Sequence, residues 1–255
     1  MPRTILITGA TAGIGKATAY RFAKENYRLI LTGRRNERLS AIAADLKEKF
    51  KAEVYPLSFD IRIKTDMEKN LESLPEDWKN IDILVNNAGL AAGLDPVNTA
   101  STDDWDEMID TNVKGLLYIS RKIIPWMIGQ GSGHIFNIGS IAGKEVYPRG
   151  SVYSATKHAV DALTKGMRLD LLQYGIKVTQ ISPGAVETEF SNVRFKGDLE
   201  RAKLVYKGYE PLQGEDVADI IHFISSLPPR VNVNDILVMP LAQANATTFN
   251  KIEIK

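Results

Sequence analysis

A chain of 255 residues with 44% hydrophobic and 25% charged residues has the make-up of a soluble globular protein with a sizeable core. Its net charge of +1 offers no basic surplus for nucleic acid, and the absence of cysteine excludes disulfides, thiolate metal sites and cysteine nucleophiles. The opening Met-Pro-Arg-Thr has no signal-peptide pattern, and no apolar run approaches the roughly 18 residues of a spanning helix, so a cytoplasmic protein without membrane contact is expected.

The first predicted strand, Arg3–Thr8, runs into Gly9-Ala-Thr-Ala-Gly13-Ile-Gly15, and a helical pattern begins at Lys16. Strand, glycine-rich turn and helix start are the setting in which backbone N–H groups cradle a phosphate. Gly9 suits the tight turn, Gly13 the approach of a pyrophosphate, and Gly15 the close packing of the helix. The spacing is Gly-x-x-x-Gly-x-Gly rather than the commoner Gly-x-Gly-x-x-Gly. A second strand, Arg28–Thr32, ends in Gly33-Arg34-Arg35, where dinucleotide folds selective for NAD carry an acid for the ribose 2′-OH. Arg34 and Arg35 favour NADP, whose 2′-phosphate a guanidinium grips through paired hydrogen bonds; the alternative is a solvent-facing pair. Glu37 already falls in the next helix, Asn36–Phe50.

A strand over Glu53–Ser58 leads to Asp60, placed either to hydrogen-bond an adenine edge or to cap a helix. A helix over Asp66–Leu74 and a strand over Ile81–Val85 follow, the strand ending in Asn86-Asn87-Ala88-Gly89. This alternation predicts a doubly wound α/β fold of Rossmann type, a parallel sheet with helices on both faces and ligand loops at the strands' C-terminal ends. Thr102–Ile128 reads as one long helical stretch in which Asn112, a poor helix-interior residue, holds a water, re-satisfies a distorted turn or is simply exposed. A fifth strand, His134–Asn137, delivers Ser140.

Ser151–Lys157 reads Ser-Val-Tyr-Ser-Ala-Thr-Lys and opens a helix expected to reach about Tyr174. Tyr153 and Lys157, four apart, project from one face. A tyrosine of pKa about 10 needs a shift of roughly three units, about 4 kcal/mol, to act as a base near pH 7, and a fixed ammonium shifts it that way. Alone, such a pair is an ordinary feature of a solvated helix; the rest of the chain changes its meaning. A sixth strand, Lys177–Ile181, ends in Ser182-Pro183-Gly184. The polar, basic stretch 187–213, with Arg194, Lys196, Lys203 and Lys207, is expected to be a lid inserted into a single domain spanning 1–255. A helix over Glu215–Ser226 and a seventh strand over Asp235–Met239 complete the pattern; the tail to Lys255 carries no signal.

These segments together resemble the short-chain dehydrogenase/reductase family across nearly the whole chain. The shared motifs are Thr8-Gly9-x-x-x-Gly13-Ile14-Gly15, Asn86-Asn87-Ala88-Gly89, Asn112, Ser140, Tyr153-x-x-x-Lys157 and Pro183-Gly184. A closer likeness, carried by Glu189–Asp198 and Leu84–Leu90, is to the NADP-dependent 3-hydroxy acid dehydrogenases, which also oxidise serine and allo-threonine and reduce malonic semialdehyde. The resemblance implies a general acid/base in Tyr153, a pKa-lowering and ribose-binding role for Lys157, a substrate-orienting Ser140, and an Asn112 that holds a relay water. It implies an NADP site built from Gly9, Thr11, Gly13, Ile14, Gly15, Arg34, Arg35, Asp60, Asn87, Ala88, Gly89, Tyr153, Lys157, Pro183, Gly184, Val186 and Thr188. It implies no metal, gives His134, His158 and His222 no functional position, and carries the expectation of a homotetramer.

A hydroxy acid brings a carboxylate, for which Arg194 and Lys196 on the insert are the candidate cations, with Ser140 and Tyr147 beside the substrate; a solvated basic surface is the alternative. A 3-oxoacyl thioester reductase or broad carbonyl reductase shares every catalytic residue. A non-catalytic NADP-binding sensor has no need of the intact Asn112, Ser140, Tyr153 and Lys157 set.

Overall fold

The computed structural model describes residues 2–252; Met1 and residues 253–255 of the expected domain lie outside the described residues. β1 (Thr4–Ile7), α1 (Gly13–Ala23), β2 (Arg28–Gly33), α2 (Asn36–Phe50), β3 (Val54–Ser58), α3 (Lys64–Glu72) and β4 (Ile83–Asn86) alternate through the first half. α4 (Thr102–Ile109), α5 (Leu116–Gln130), β5 (Gly133–Ile138), α6 (Ser151–Leu171) and β6 (Ile176–Pro183) continue the pattern. β7 (Val186–Glu187), α7 (Phe190–Arg194), α8 (Leu199–Leu204) and β8 (Leu212–Gln213) form an excursion before α9 (Gly214–Ser225) and β9 (Asp235–Val238).

Seven strands pair in parallel in the order β3-β2-β1-β4-β5-β6-β9, so the chain builds outward in one direction from β1 and then in the other from β4. The strands are nearly uninterrupted apolar runs because both faces of the sheet are covered. Their side chains alternate accordingly. Ile5, Ile7, Leu29, Leu31, Ile83 and Val85 enter a core with Phe22 of α1, Leu39 and Leu46 of α2, and Val217 and Ile221 of α9. Leu6, Ile30, Leu84, Ile135 and Val178 enter the opposite core with Met67 of α3 and Ile119, Ile123 and Met127 of α5. The predicted single-domain doubly wound fold is the one observed, with strand ends within two residues of expectation.

Three local features differ. The stretch predicted as one helix over Thr102–Ile128 is interrupted at Asp110–Gly115 by a widened π turn centred on Asn112. The stretch 187–213, without period in sequence, holds α7 and α8, of five and six residues, too short for a hydrophobic repeat to declare itself. It leaves and returns at one point, because β7 and β8 pair in parallel through Val186 with Leu212 and Glu187 with Gln213. The tail folds back on itself, with the Asn250 N–H donating to Ala242 O (2.8 Å) and the Ala244 N–H to Thr248 O (3.0 Å). Among the described residues no helix is long and apolar enough to cross a membrane.

Candidate active site

The C-terminal ends of β1 and β4 are fastened to each other by Thr8, whose hydroxyl accepts the N–H groups of Asn87 (3.0 Å) and Ala88 (2.9 Å). Asn87 reciprocates: its Nδ2 donates to the carbonyls of Thr8 (2.8 Å) and Gly9 (3.2 Å). That amide lies where a side chain on residue 15 would be, since a Cβ there would approach Asn87 Nδ2 and Gly9 O to 2.5 Å. Gly9 itself turns with φ +67°, a left-handed conformation. The turn therefore places the start of α1 directly over the sheet edge. No side chain caps α1 at Ala12 and no acid sits in its first turn, which leaves N–H donors and the positive end of the helix dipole facing the cleft.

The cleft encloses about 340 Å³ and runs from Thr11, Gly13 and Arg35 past Asn87, Ala88 and Gly89 to Ser140, Tyr153 and Lys157. Ile14, Arg34, Asp60, Pro183, Gly184, Val186 and Thr188 also line it, as does Gly9. Of the expected dinucleotide residues only Gly15 lies outside the wall, its role being the close packing of α1. A long, bent ligand with a diphosphate at the helix start fits this shape and donor set. Arg34 sits 3.7 Å from Glu107, and Arg35 donates to the Thr11 hydroxyl from Nη2 (2.8 Å) and Nε (3.2 Å). Asp60 does not cap α3, which begins beyond Ile63; its carboxylate binds the backbone N–H (3.0 Å) and guanidinium (2.7 Å) of Arg62.

At the other end, β5 delivers Ser140 and α6 delivers Tyr153 and Lys157. Ser140 Oγ accepts the Ala142 N–H (3.1 Å), so its own O–H is left to donate. Lys157 Nζ donates to Ile138 O (2.9 Å) and lies 5.9 Å from the Tyr153 ring centroid. Burial pushes Lys157 down to about 8. Burial also pushes the Tyr153 phenol up, with Tyr147 adding to the rise; Ser140 and the Arg194 guanidinium act the other way but do not outweigh them. Their spacing led to an expected lowering of Tyr153 by Lys157; burial of a side chain 9% exposed raises the phenol instead, and Arg194 is the cation that opposes the rise. Tyr153 is held as the protonated phenol.

Asn112 is committed rather than free. Its Oδ1 accepts the Leu90 N–H (2.8 Å), and its Nδ2 donates to Leu90 O (2.8 Å) and to the Thr156 hydroxyl (3.0 Å). Thr156 in turn donates to Tyr153 O (2.7 Å), so the π turn, the loop after β4 and α6 are pinned together. Both amide protons of Asn112 are used, so of the readings open for it the re-satisfied distorted turn is the one its side chain serves.

The excursion brings Arg194 to the site. Its Nη2 donates to Tyr147 Oη (2.7 Å), its Nε to Gly93 O (3.1 Å), and its guanidinium carbon lies 5.7 Å from the Tyr153 ring centroid. Lys196 is elsewhere: its ammonium pairs with Asp104 (2.9 Å) and lines no part of the cleft. Of the two candidate cations only Arg194 lies beside Tyr153, in a smaller pocket next to the cleft that Gly93, Trp105 and Val152 also line. His134 is buried against Thr179, His158 donates to Ser154 O and His222 packs on Phe22, all away from the cleft. Sequence reasoning missed Phe190, edge-on to Tyr153 at 5.6 Å, and Thr156, although Thr156 lies one helical turn after Tyr153 in the same motif.

A parallel sheet with a glycine turn at its switch point and a Ser-Tyr-Lys set at the end of the same cleft defines a dinucleotide-dependent oxidoreductase. Residues 3–198 match the short chain dehydrogenase family, and the chain belongs to it. Among its relatives, the NADP-dependent 3-hydroxy acid dehydrogenase YdfG of Escherichia coli (strain K12) is 46% identical over 243 residues, 95% of this chain and 96% of the relative. Serine 3-dehydrogenase of Agrobacterium fabrum is 44% identical over 246 residues, 96% of this chain and 97% of the relative. A closed form of serine dehydrogenase complexed with NADP+ superimposes with a TM-score of 0.91 at 45% identity, covering 98% of this chain and all of that one.

Proposed function

We propose that this protein is an NADP-dependent dehydrogenase that interconverts the 3-hydroxy and 3-oxo forms of small hydroxy acids or hydroxy amino acids, of the serine, allo-threonine and 3-hydroxypropionate type. The observation that carries the reading is Arg194: a guanidinium hydrogen-bonded to Tyr147 and 5.7 Å from the Tyr153 ring centroid puts beside the reacting group a cation that a carboxylate can pair with and a neutral alcohol would not need. Arg34 and Arg35, at the end of β2, are the 2′-phosphate subsite; the relatives' NADP dependence supports this.

When bound, the nicotinamide supplies or takes the hydride. The phenol of Tyr153 gives its proton to the carbonyl oxygen during reduction and recovers it from the alcohol during oxidation. The free O–H of Ser140 steadies the same oxygen as charge develops on it. Lys157 holds the nicotinamide ribose and replenishes Tyr153. Asn112 keeps the active-site elements in register. The domain includes residues 1–255, and the excursion at about 187–213 is its substrate lid, with the hydrogen-bonded pair Tyr147 and Arg194 beside the substrate.

The protein works in the cytoplasm as a homotetramer. Exposed Leu169 (77%) and Leu172 (75%) on and just beyond α6, and Leu237 (49%) on edge strand β9, support assembly, since apolar residues on a bare sheet edge call for cover. Reduction of NADP+ and of NAD+ followed at 340 nm with L-serine, L-allo-threonine, 3-hydroxypropionate, 3-hydroxybutyrate and a neutral secondary alcohol tests the function. Turnover of the acids with NADP+ is expected. Turnover of the neutral alcohol alone, or of thioesters alone, would replace the proposed substrate class, and no turnover of any of them would favour a binding protein.

A further inference from the structure

We propose that Glu189, at the root of the lid, competes with the cofactor's 2′-phosphate for Arg35 and Arg38, so that the adenosine end of the cofactor and the lid are held by the same guanidinium groups. The inference rests on the assignment of the β2 arginines as the 2′-phosphate subsite and adds Arg38 to it. Glu189 lines the cleft, and its two carboxylate oxygens lie 2.7 Å from Arg35 Nη1 and 2.6 Å from Arg38 Nη1. Arg35 and Arg38 are three apart on and just before α2, hence on one face. Arg35 is already fixed by Thr11, so Nη1 is the edge it has left to offer.

Glu189 precedes α7 without capping it; its carboxylate is spent entirely on α2, across the cleft and more than 150 residues away. A carboxylate and a phosphate present the same bidentate acceptor geometry to a guanidinium. The pairs are 41–52% exposed, the class of ion pair that a doubly charged phosphate displaces readily. Displacement removes this one tether of the lid, while an adenosine without the 2′-phosphate leaves it in place; Ser191 and Arg194 still hold α7 to Tyr206, Tyr147 and Gly93. Glu189 thereby sets how much of the arginines' affinity the cofactor realises.

The test is calorimetric titration of 2′,5′-ADP and of 5′-AMP into the wild type, Glu189→Gln, Arg38→Gln and Arg35→Ala. Glu189→Gln is expected to tighten 2′,5′-ADP about three- to fivefold while 5′-AMP stays within about twofold. Arg38→Gln weakens 2′,5′-ADP selectively. Unchanged or weaker 2′,5′-ADP binding by Glu189→Gln, or equal gains for both nucleotides, overturns the inference. Arg35→Ala separates the two levels: selective loss of 2′,5′-ADP upholds the subsite whatever Glu189 does, and equal binding of both nucleotides removes the subsite and the inference together.

Discussion

At Tyr153 two demands meet. Hydrogen-bonding the reacting oxygen requires a buried phenol, and burial raises its pKa. That suits reduction, where the phenol must arrive with its proton, and places the cost on oxidation, where it must first lose it. Arg194 is the nearest charge that eases this, because a cation beside the ring favours the phenolate. Arg194→Ala should therefore move the acidic limb of the pH profile for alcohol oxidation, where the phenol must lose its proton, to higher pH, with neutral and acidic substrates alike. The same substitution removes the carboxylate partner, a charge-assisted contact of about 1.5–3 kcal/mol, so KM for a 3-hydroxy acid should rise roughly 10- to 100-fold while KM for a neutral alcohol barely changes. Steady-state kinetics between pH 6 and 10 on one substrate of each kind measures both. Equal KM losses would leave Arg194 a structural residue of the lid.

At the scale of elements, the cleft is an agreement among segments distant in the chain. The tail supplies an example. Gln243 is 6% exposed; its Oε1 accepts the Ala185 N–H (2.8 Å) just after Pro183-Gly184, and its Nε2 donates to Asn245 O (3.1 Å). Farther along, Ile252 N donates to Gly208 O (2.7 Å) and Phe249 packs on Tyr209 at 4.9 Å, so one short strap touches both the cofactor loop and the back of the lid. Gln243→Leu leaves the Ala185 N–H without a partner, at a cost of about 1–3 kcal/mol in urea unfolding. KM for NADPH should rise several-fold more than KM for substrate, and Gln243→Glu, which keeps the acceptor, should stay near wild type. A parallel rise in both KM values would show a strap that stabilises without steering the cofactor. The strap was invisible in the sequence because its meaning lies in a bond across 58 residues. The pairing of Glu189 with Arg35 and Arg38 was hidden for the same reason. Gly9, Asn87, Tyr153 and Lys157 were legible because their signal is local: a turn, a strand end, one helical turn. Asn112 stood between, since its misfit to a helix interior was plain while the Leu90 backbone that resolves it was not.

The whole molecule inherits its pH response from how the sheet is covered. β5 must be buried on both faces, yet its second residue is His134, 2% exposed and bonded through Nε2 to Thr179 Oγ1 at 2.8 Å. Burial first, then the cations of Lys177 and Arg3, hold it at about 3, against about 6.5 for a free imidazole. Between those values the unfolded chain carries a proton that the folded chain refuses, so ΔG of unfolding falls as pH falls through this window and is fully present above about 6.5. At 1.36 kcal/mol per unit, the loss between pH 7 and pH 5 is about 2 kcal/mol. His134→Leu keeps the apolar face of β5, loses the bond to Thr179 and starts from a lower stability at pH 7, but it cannot take up the proton. Urea midpoints at pH 7, 6 and 5 should accordingly fall steeply for the wild type and much less for His134→Leu. The slope, not the offset, is the test: identical slopes would mean that the imidazole gains its proton without unfolding and that the acid sensitivity originates elsewhere.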